Sequence, residues 1–337
     1  MKLFIRLIIS LSIGLGFLYL TFKDIQFEKL TFSWSENTFY FIILYIMNFV
    51  MITFLRSLRS FIVFRNLGKL KLQQMFTYTS VGYSFIVMLP FRMGELLIPL
   101  FIKKNTGIAL SSSLIVIMFE RFLDLFMVLI SLIYIVSTLP LPDWLIKSSF
   151  IAISVFTLIL ITLLLSYKKS HLVWKLMLPV INLLNEKTNE KIRHILKGFK
   201  EGFRNIKTRR TFFMIFGLSL IIMMLSMLSI FYVLKIVGIE GNLVIAATVL
   251  ILNLIGISIP AGPAMIGNYQ YSCIVALSLF SIDKNQSFIF ANLYYLLGIG
   301  MTIILGILFY PTVHFTLEDI KNAITMKQVS DENDEKN

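Results

Sequence analysis

Six stretches of this chain stay apolar for 18 residues or more, at about 4–22, 38–55, 108–137, 146–166, 211–234 and 287–310. About 20 helical residues cross a hydrocarbon core of about 30 Å, so each run is long enough to span a bilayer. Four further runs, at about 74–90, 95–102, 243–259 and 265–281, are shorter and fall into two pairs. Each pair is interrupted by proline and glycine. Inside a bilayer the backbone must satisfy its own hydrogen bonds, which leaves helices for runs of this kind. The expected fold is therefore all-α and polytopic, with about six full spans and two broken or re-entrant helical hairpins. The composition agrees: 57% of residues are hydrophobic and 15% charged, where a soluble domain carries about a quarter charged. Mean hydropathy is +0.84. Residues 1–315 read as one transmembrane domain, leaving no room for a large soluble catalytic domain. The first run, with Lys2 before it and Arg6 near its start, is too long for a signal-peptide core and reads as a retained span.

The formal charge is +13. Its basic residues cluster in loops beside the runs, which is the positive-inside pattern rather than a nucleic-acid footprint. Lys2 and Arg6 place the N-terminus in the cytoplasm. Lys23, Asp24, Glu28, Lys29 and Glu36 give the next loop a net −1, which suits the outside. Arg56, Arg59, Arg65, Lys69 and Lys71 then read as a cytoplasmic loop. Segment 168–210 holds twelve Lys or Arg against Glu186, Glu190 and Glu201. It is expected as a basic cytoplasmic connector, either an interfacial helix or one packed on the spans. Its position imposes a parity condition. The block reaches the cytoplasm only if 74–102 enters from that side, turns at Pro90 and returns, as a re-entrant loop or as two short tilted helices. Residues 316–337 follow the last span as a cytoplasmic tail with a disordered acidic end. Both termini are thus cytoplasmic, in a cell (inner or plasma) membrane.

The second interruption, Ile259 to Gln270, carries Pro260, Gly262, Pro263 and Gly267. Pro90 to Gly94 and Pro263 to Gly267 share the spacing P-x-x-x-G, followed by Glu95 in one and Asn268 in the other. Parity brings the two hairpins in from opposite faces, the arrangement of an inverted-repeat transporter whose broken helices meet near the midplane.

Charge within the run 108–137 is the chemical signal. Glu120, Arg121 and Asp124 lie near mid-bilayer, with Glu120 and Asp124 on one helical face. A charge in lipid costs about 2.5 kcal/mol or more, so these side chains must face protein or water. The hairpin tip offers Arg92 and Glu95 as partners, Arg92 for Glu120 or Asp124 and Glu95 for Arg121. Such a cluster is either a closed ion-pair lock or the lining of a head-group cavity. Guanidinium groups suit phosphate because their fork matches it bidentately. A buried carboxylate there can carry a proton. Asn268, Gln270 and Tyr294 at the second break can hydrogen-bond a sugar or head group, or can join helices. Cys273 is the single cysteine, and His171, His194 and His314 are scattered in cytoplasmic or interfacial segments. Neither metal nor cofactor is expected.

Arg92-x-Gly94-Glu95, the run "ERFLD" at 120–124 and "PAGPAMIGNYQ" at the second break together resemble the lysylphosphatidylglycerol synthase transmembrane-domain-like family. These are flippase-like membrane proteins related to the flippase domain of the multiple peptide resistance factor. The pattern departs at Ile98, at Asn268-Tyr269-Gln270 and at Tyr294-Tyr295. The resemblance implies a protein that handles anionic phospholipids or polyprenyl-phosphate-linked lipids, with Arg92, Gly94, Glu95, Glu120, Arg121 and Asp124 in its first motif. The leading expectation is a lipid flippase or transporter and not an enzyme. The alternatives are a membrane enzyme acting on a lipid carrier, and a non-catalytic organiser of a lipid-handling complex.

Overall fold

The computed structural model describes residues 2–30, 34, 36–89, 94–95, 97–138, parts of 143–158, 209–259 and 263–313. Pro90, Arg92, Pro260, Gly262, nearly all of the basic block 168–210 and the tail lie outside the described residues. Among the described residues the secondary structure is helical, without strands. We number the helices α1 (Lys2–Phe22), α2 (Glu36–Phe64), α3 (Leu72–Met88), α4 (Leu97–Thr106), α5 (Leu110–Thr138), α6 (Arg209–Val237), α7 (Leu243–Ser258), α8 (Asn268–Ser278) and α9 (Lys284–Phe309).

Asn37–Phe64, Arg210–Val237 and Lys284–Thr312 are long and apolar enough to cross a membrane. Their outer faces carry large exposed apolar side chains, among them Phe39, Met47, Phe213, Met224, Leu296 and Ile307. Water does not tolerate such surfaces, whereas lipid tails do. The chain is a multi-pass membrane protein. α5 has the same 29 residues as α2 and α6, but carries three charges at its middle.

The helices flanking each predicted interruption, α3 with α4 and α7 with α8, pack antiparallel. In the first, Tyr78 meets Phe101 with ring centroids 6.1 Å apart, and a Cβ on Gly94 would lie 2.2 Å from the Ile86 nitrogen. α4 has ten residues, about 15 Å, and cannot cross a bilayer. In the second, Asn253 of α7 donates to the Tyr269 carbonyl at 3.1 Å and to Ser272 Oγ at 3.0 Å. Asn268 at the start of α8 donates to the Gly256 and Ile259 carbonyls at 3.0 and 3.2 Å. α8 has eleven residues and is equally short.

The two halves are organised alike. Helices α2 to α5 begin at 36, 72, 97 and 110, and α6 to α9 at 209, 243, 268 and 284, offsets of 173, 171, 171 and 174. The long–medium–short–long order is the same in each. Exchanging the two quartets maps one set of helix contacts onto the other. Thus α2 packs on α3 as α6 does on α7, α3 on α9 as α7 on α5, and α4 on α5 as α8 on α9. The longest contact joins α2 to α6, the helices that exchange with each other. These two run antiparallel: Phe41 meets Tyr232, Asn48 donates to the Leu225 carbonyl and Ser229 Oγ, and Arg59 donates to Ser219 Oγ. One apolar core belongs mainly to α2–α5 and the other mainly to α6–α9. α1 stands outside both quartets and packs on α8, with Phe17 against Tyr271 at 5.5 Å.

α3 and α9 cross closely. A Cβ on Gly306 would lie 2.2 Å from Ser84 Oγ and 2.3 Å from Ser84 Cβ. Gly306→Ala is therefore expected to destabilise the protein by about 1–3 kcal/mol. Ser84→Gly, which removes the atoms in the way, should restore most of the loss. Thermal unfolding of the detergent-solubilised variants measures both; an unchanged single variant would mean that the helices do not meet at this distance.

Candidate functional site

The three charges of α5 project into the junction where α2, α3, α5 and α6 meet. Asp124 receives a forked bond from Arg59 of α2, with Nη1 at 2.6 Å from Oδ1 and Nη2 at 3.3 Å from Oδ2. The same Nη1 donates to Ser219 Oγ of α6 at 2.9 Å. One guanidinium thus ties α2, α5 and α6 together. Such a bidentate pair is among the stronger polar contacts a protein makes. Arg59 is only 2% exposed.

Glu120 is held differently. Its Oε1 accepts from the Ser60 hydroxyl at 2.6 Å, while Arg59 Nε stands 4.0 Å away. Glu120 is buried, 5% exposed. Its direct donor is therefore a neutral hydroxyl, and the guanidinium acts on it at longer range. Arg121 donates from Nη2 to the Tyr83 hydroxyl of α3 at 2.9 Å, and from Nη1 to Asp124 Oδ2 at 3.4 Å. Tyr83 lies between two cations: the Arg56 guanidinium stands 5.2 Å from its ring centroid and that of Arg121 5.9 Å. Cation–π contacts of this kind are worth about 0.5–2 kcal/mol, more when shielded from water.

Beside this network opens a cavity of about 630 Å³, within the size range of small-molecule sites. Its polar wall carries Arg56, Glu95, Arg121, Asp124 and Ser219. Its apolar wall is made by Leu250, Leu254, Ile255 and Ile257 of α7, with Val128 and Met223. Glu95, at the tip of the first hairpin, shares the cavity with Arg121 and acts on it electrostatically. Three arginines and three carboxylates thus meet here among the described residues. The cavity is amphipathic: one side attracts anions, the other excludes water.

Sequence reasoning assembled Glu95, Glu120, Arg121 and Asp124, and the structure brings these four together. Arg92, expected to neutralise Glu120 or Asp124, lies outside the described residues. The cation in contact with Asp124 is Arg59. Arg56 and Arg59 had been assigned to a cytoplasmic loop, because they follow an apolar run and precede further basic residues. They belong instead to α2, which continues unbroken to Phe64. The available signal was "RSLRSFIVF", in which apolar residues resume after Arg59 and the two arginines share a helical face at i and i+3.

The polar residues of the second break mostly hold the break itself. Gln270 Oε1 accepts from the Gly267 amide at 2.8 Å. Asn268 bonds two carbonyls freed where α7 ends, and Tyr295 donates to the Ala264 carbonyl at 3.0 Å. These bonds support a strained turn: Ala264 and Met265 have φ of 57° and 59°, unusual for non-glycine residues, and Gly267 has φ 94°. Tyr294 stacks in an aromatic group with Tyr269 at 5.4 Å and Phe290 at 5.8 Å.

Residues 7–306 match the protein-family description "Lysylphosphatidylglycerol synthase TM region". No curated protein and no solved structure matches the chain.

Proposed function

The chain belongs to the lysylphosphatidylglycerol synthase transmembrane family, a family of membrane proteins related to lipid handling, and from that premise we propose that it is a lipid transporter of the flippase type. Its substrate class is a lipid with a phosphate-bearing head group, either an anionic phospholipid or a polyprenyl-linked lipid. The observation that carries this reading is the two-sided cavity. A phosphate fits Arg56 and Arg121, whose guanidinium planes already sit on Tyr83 and need little reordering. The acyl or prenyl chains lie along the α7 wall of Leu250, Leu254 and Ile255.

The matched quartets and the antiparallel α2–α6 pair support an inverted repeat, with the two hairpins entering a cell membrane from opposite faces as re-entrant elements. Half-length helices that end near the midplane expose backbone groups where a polar head group needs them. Lys2 and Arg6 at the start of α1 and the basic residues of 168–210 support cytoplasmic termini.

Reconstitution tests the proposal. Liposomes containing the purified chain and a head-group-labelled anionic phospholipid are expected to transfer label between leaflets faster than protein-free liposomes. Arg121→Ala should lower the rate at least tenfold, since a charge-assisted phosphate contact is worth about 1.5–3 kcal/mol. If a panel of anionic phospholipids and a polyprenyl phosphate all move no faster than in empty vesicles, the transporter reading is wrong.

A further inference from the structure

A second, small cavity of about 20 Å³ lies on the inner side of the charged network. Arg59, Ser60, Thr79, Tyr83, Glu120 and Arg121 contribute to its lining. Three buried polar atoms on these residues, Arg59 Nε, Arg121 Nε and Thr79 Oγ1, make no hydrogen bond among the described residues. Buried donors left in this way cost about 1–3 kcal/mol each. A cavity of this size holds about one water, provided two to four polar partners face it. The two Nε–H groups can only donate, which favours an oxygen that accepts and disfavours a metal ion. Glu120 in turn can only accept when ionised, which suits the hydrogens of the same molecule.

We propose that this cavity holds one ordered water through which Glu120 exchanges a proton with the large cavity, making Glu120 the residue that links lipid movement to protons. The inference rests on the transporter reading for its role, though the water and the proton exchange stand on the small cavity alone. Geometry separates the two carboxylates. Asp124 is clamped by the Arg59 fork and touched by Arg121, bonds that require its charge. Glu120 is bonded by Ser60, whose hydroxyl can turn from donor to acceptor once the carboxyl carries a proton. The charged and titratable groups facing Glu120 are Arg56 and Arg59 from α2, Tyr83 from α3, and Arg121 and Asp124 from α5; α4 contributes Ile98.

Arg56 and Arg121 line both cavities and so form the partition between them. A phosphate that draws these side chains into the large cavity opens the partition. A hydronium there then gives a proton to the bridging water. That water passes one of its own protons to the Glu120 carboxylate, leaving a neutral carboxylic acid and a restored water. Reversal on the other side of the membrane returns the proton. Phosphate entry and protonation of Glu120 are in this way coupled, and the added negative charge of the lipid is offset without leaving a net charge in a low-dielectric site.

Infrared difference spectroscopy on the full chain in lipid tests the proton exchange without any need for transport. Acidification should produce a buried carboxylic C=O band that is lost in Glu120→Gln and shifted in frequency in Thr79→Val. The H/D exchange of that band in Thr79→Val should slow several-fold. A wild type without the band, or a Glu120→Gln variant that keeps it, overturns the proposal. The second arm compares leaflet transfer with and without a pH gradient: wild type should show a rate ratio well away from one, and Glu120→Gln a ratio of one whatever its absolute rate. An unchanged ratio in Glu120→Gln, or a ratio of one in wild type, overturns the link to transport. Absence of all transfer in wild type defeats the transporter reading, while the infrared arm still decides the water and the proton.

Discussion

Replacing Arg59 by methionine is expected to destabilise the protein by about 3 kcal/mol, a large effect for one substitution in a membrane helix. Methionine fills much of the same volume, so little of the cost comes from a cavity. It comes from what stays behind. Asp124 loses both bonds of its fork, and Glu120 loses the guanidinium 4.0 Å away. Removing one partner of a buried pair costs about 3–5 kcal/mol, because the remaining charge is uncompensated. The lower end applies here, since Asp124 keeps Arg121 at 3.4 Å and borders the large cavity. Arg59→Lys should fall between, keeping the charge and losing the fork. The double variant Arg59→Met with Asp124→Leu should regain more than half of the loss, because a buried pair replaced as a whole by apolar groups is often neutral. Arg65→Met is the control: Arg65 is exposed beyond the end of α2, and its loss should change stability by no more than about 0.5 kcal/mol. Thermal unfolding in one detergent compares all four. Equal stabilities for Arg59→Met and Arg65→Met would sink the idea that Arg59 locks α2, α5 and α6 together.

The case of Arg59 also marks how far the sequence could be read. The three helices long and apolar enough to cross a membrane fall on apolar runs, and each pair of half-length helices is separated at a P-x-x-x-G stretch, because proline and glycine interrupt a helix by local chemistry. The charges of α5 announced themselves because they stand at the middle of an otherwise apolar run. Partner choice is different. Which cation meets Asp124 depends on how α2 lies against α5 and α6, a non-local fact with no period or motif. Arg59 was further concealed by its neighbours: Arg65, Lys69 and Lys71 gave the whole stretch the look of a cytoplasmic loop. Asn268 and Gln270 pose the opposite case. They sit where a ligand-binding residue is expected, yet each is bonded to the backbone of the break. A helix end packed away from water frees carbonyls and amides with no solvent to take them, so polar side chains beside it are first needed for that task. The like order of the two helix quartets was legible only at its Pro/Gly landmarks. The offsets of 171–174 between helix starts pair residues as unlike as Arg59 and Tyr232, so the side chains themselves carry no sign of the shared order.

Gly94→Ala is expected to be the most disruptive of the small substitutions, destabilising by about 3 kcal/mol or more and reducing the yield of folded protein. Gly94 packs directly on α3. A Cβ there would lie 2.2 Å from the Ile86 nitrogen, 2.3 Å from the Phe85 carbonyl carbon and 2.6 Å from Ile86 Cα. These are backbone atoms in the middle of a helical turn, which cannot swing aside as a side chain can. Overpacking against movable side chains already costs about 1–3 kcal/mol, so a rigid obstacle exceeds that. The hairpin must open, and opening moves Glu95, the next residue, off the cavity it shares with Arg121 and Asp124. Gly267, which follows the left-handed residues Ala264 and Met265 at the other break, should be nearly as intolerant for two reasons that combine. Its φ of 94° disfavours any side chain, and a Cβ would lie 2.6 Å from the Gly14 carbonyl of α1. Gly217 and Gly300 give the comparison, for a Cβ at either meets nothing within 4 Å; both lie within helices, where alanine is favoured over glycine by about 1 kcal/mol. Alanine at these two positions should leave stability unchanged or raise it. Four single variants and one unfolding assay thus separate close backbone packing at the breaks from glycine content in general. Equal effects at all four positions would show that the hairpin tips are not packed as tightly as their geometry requires, and would remove the rigid support on which Glu95 depends.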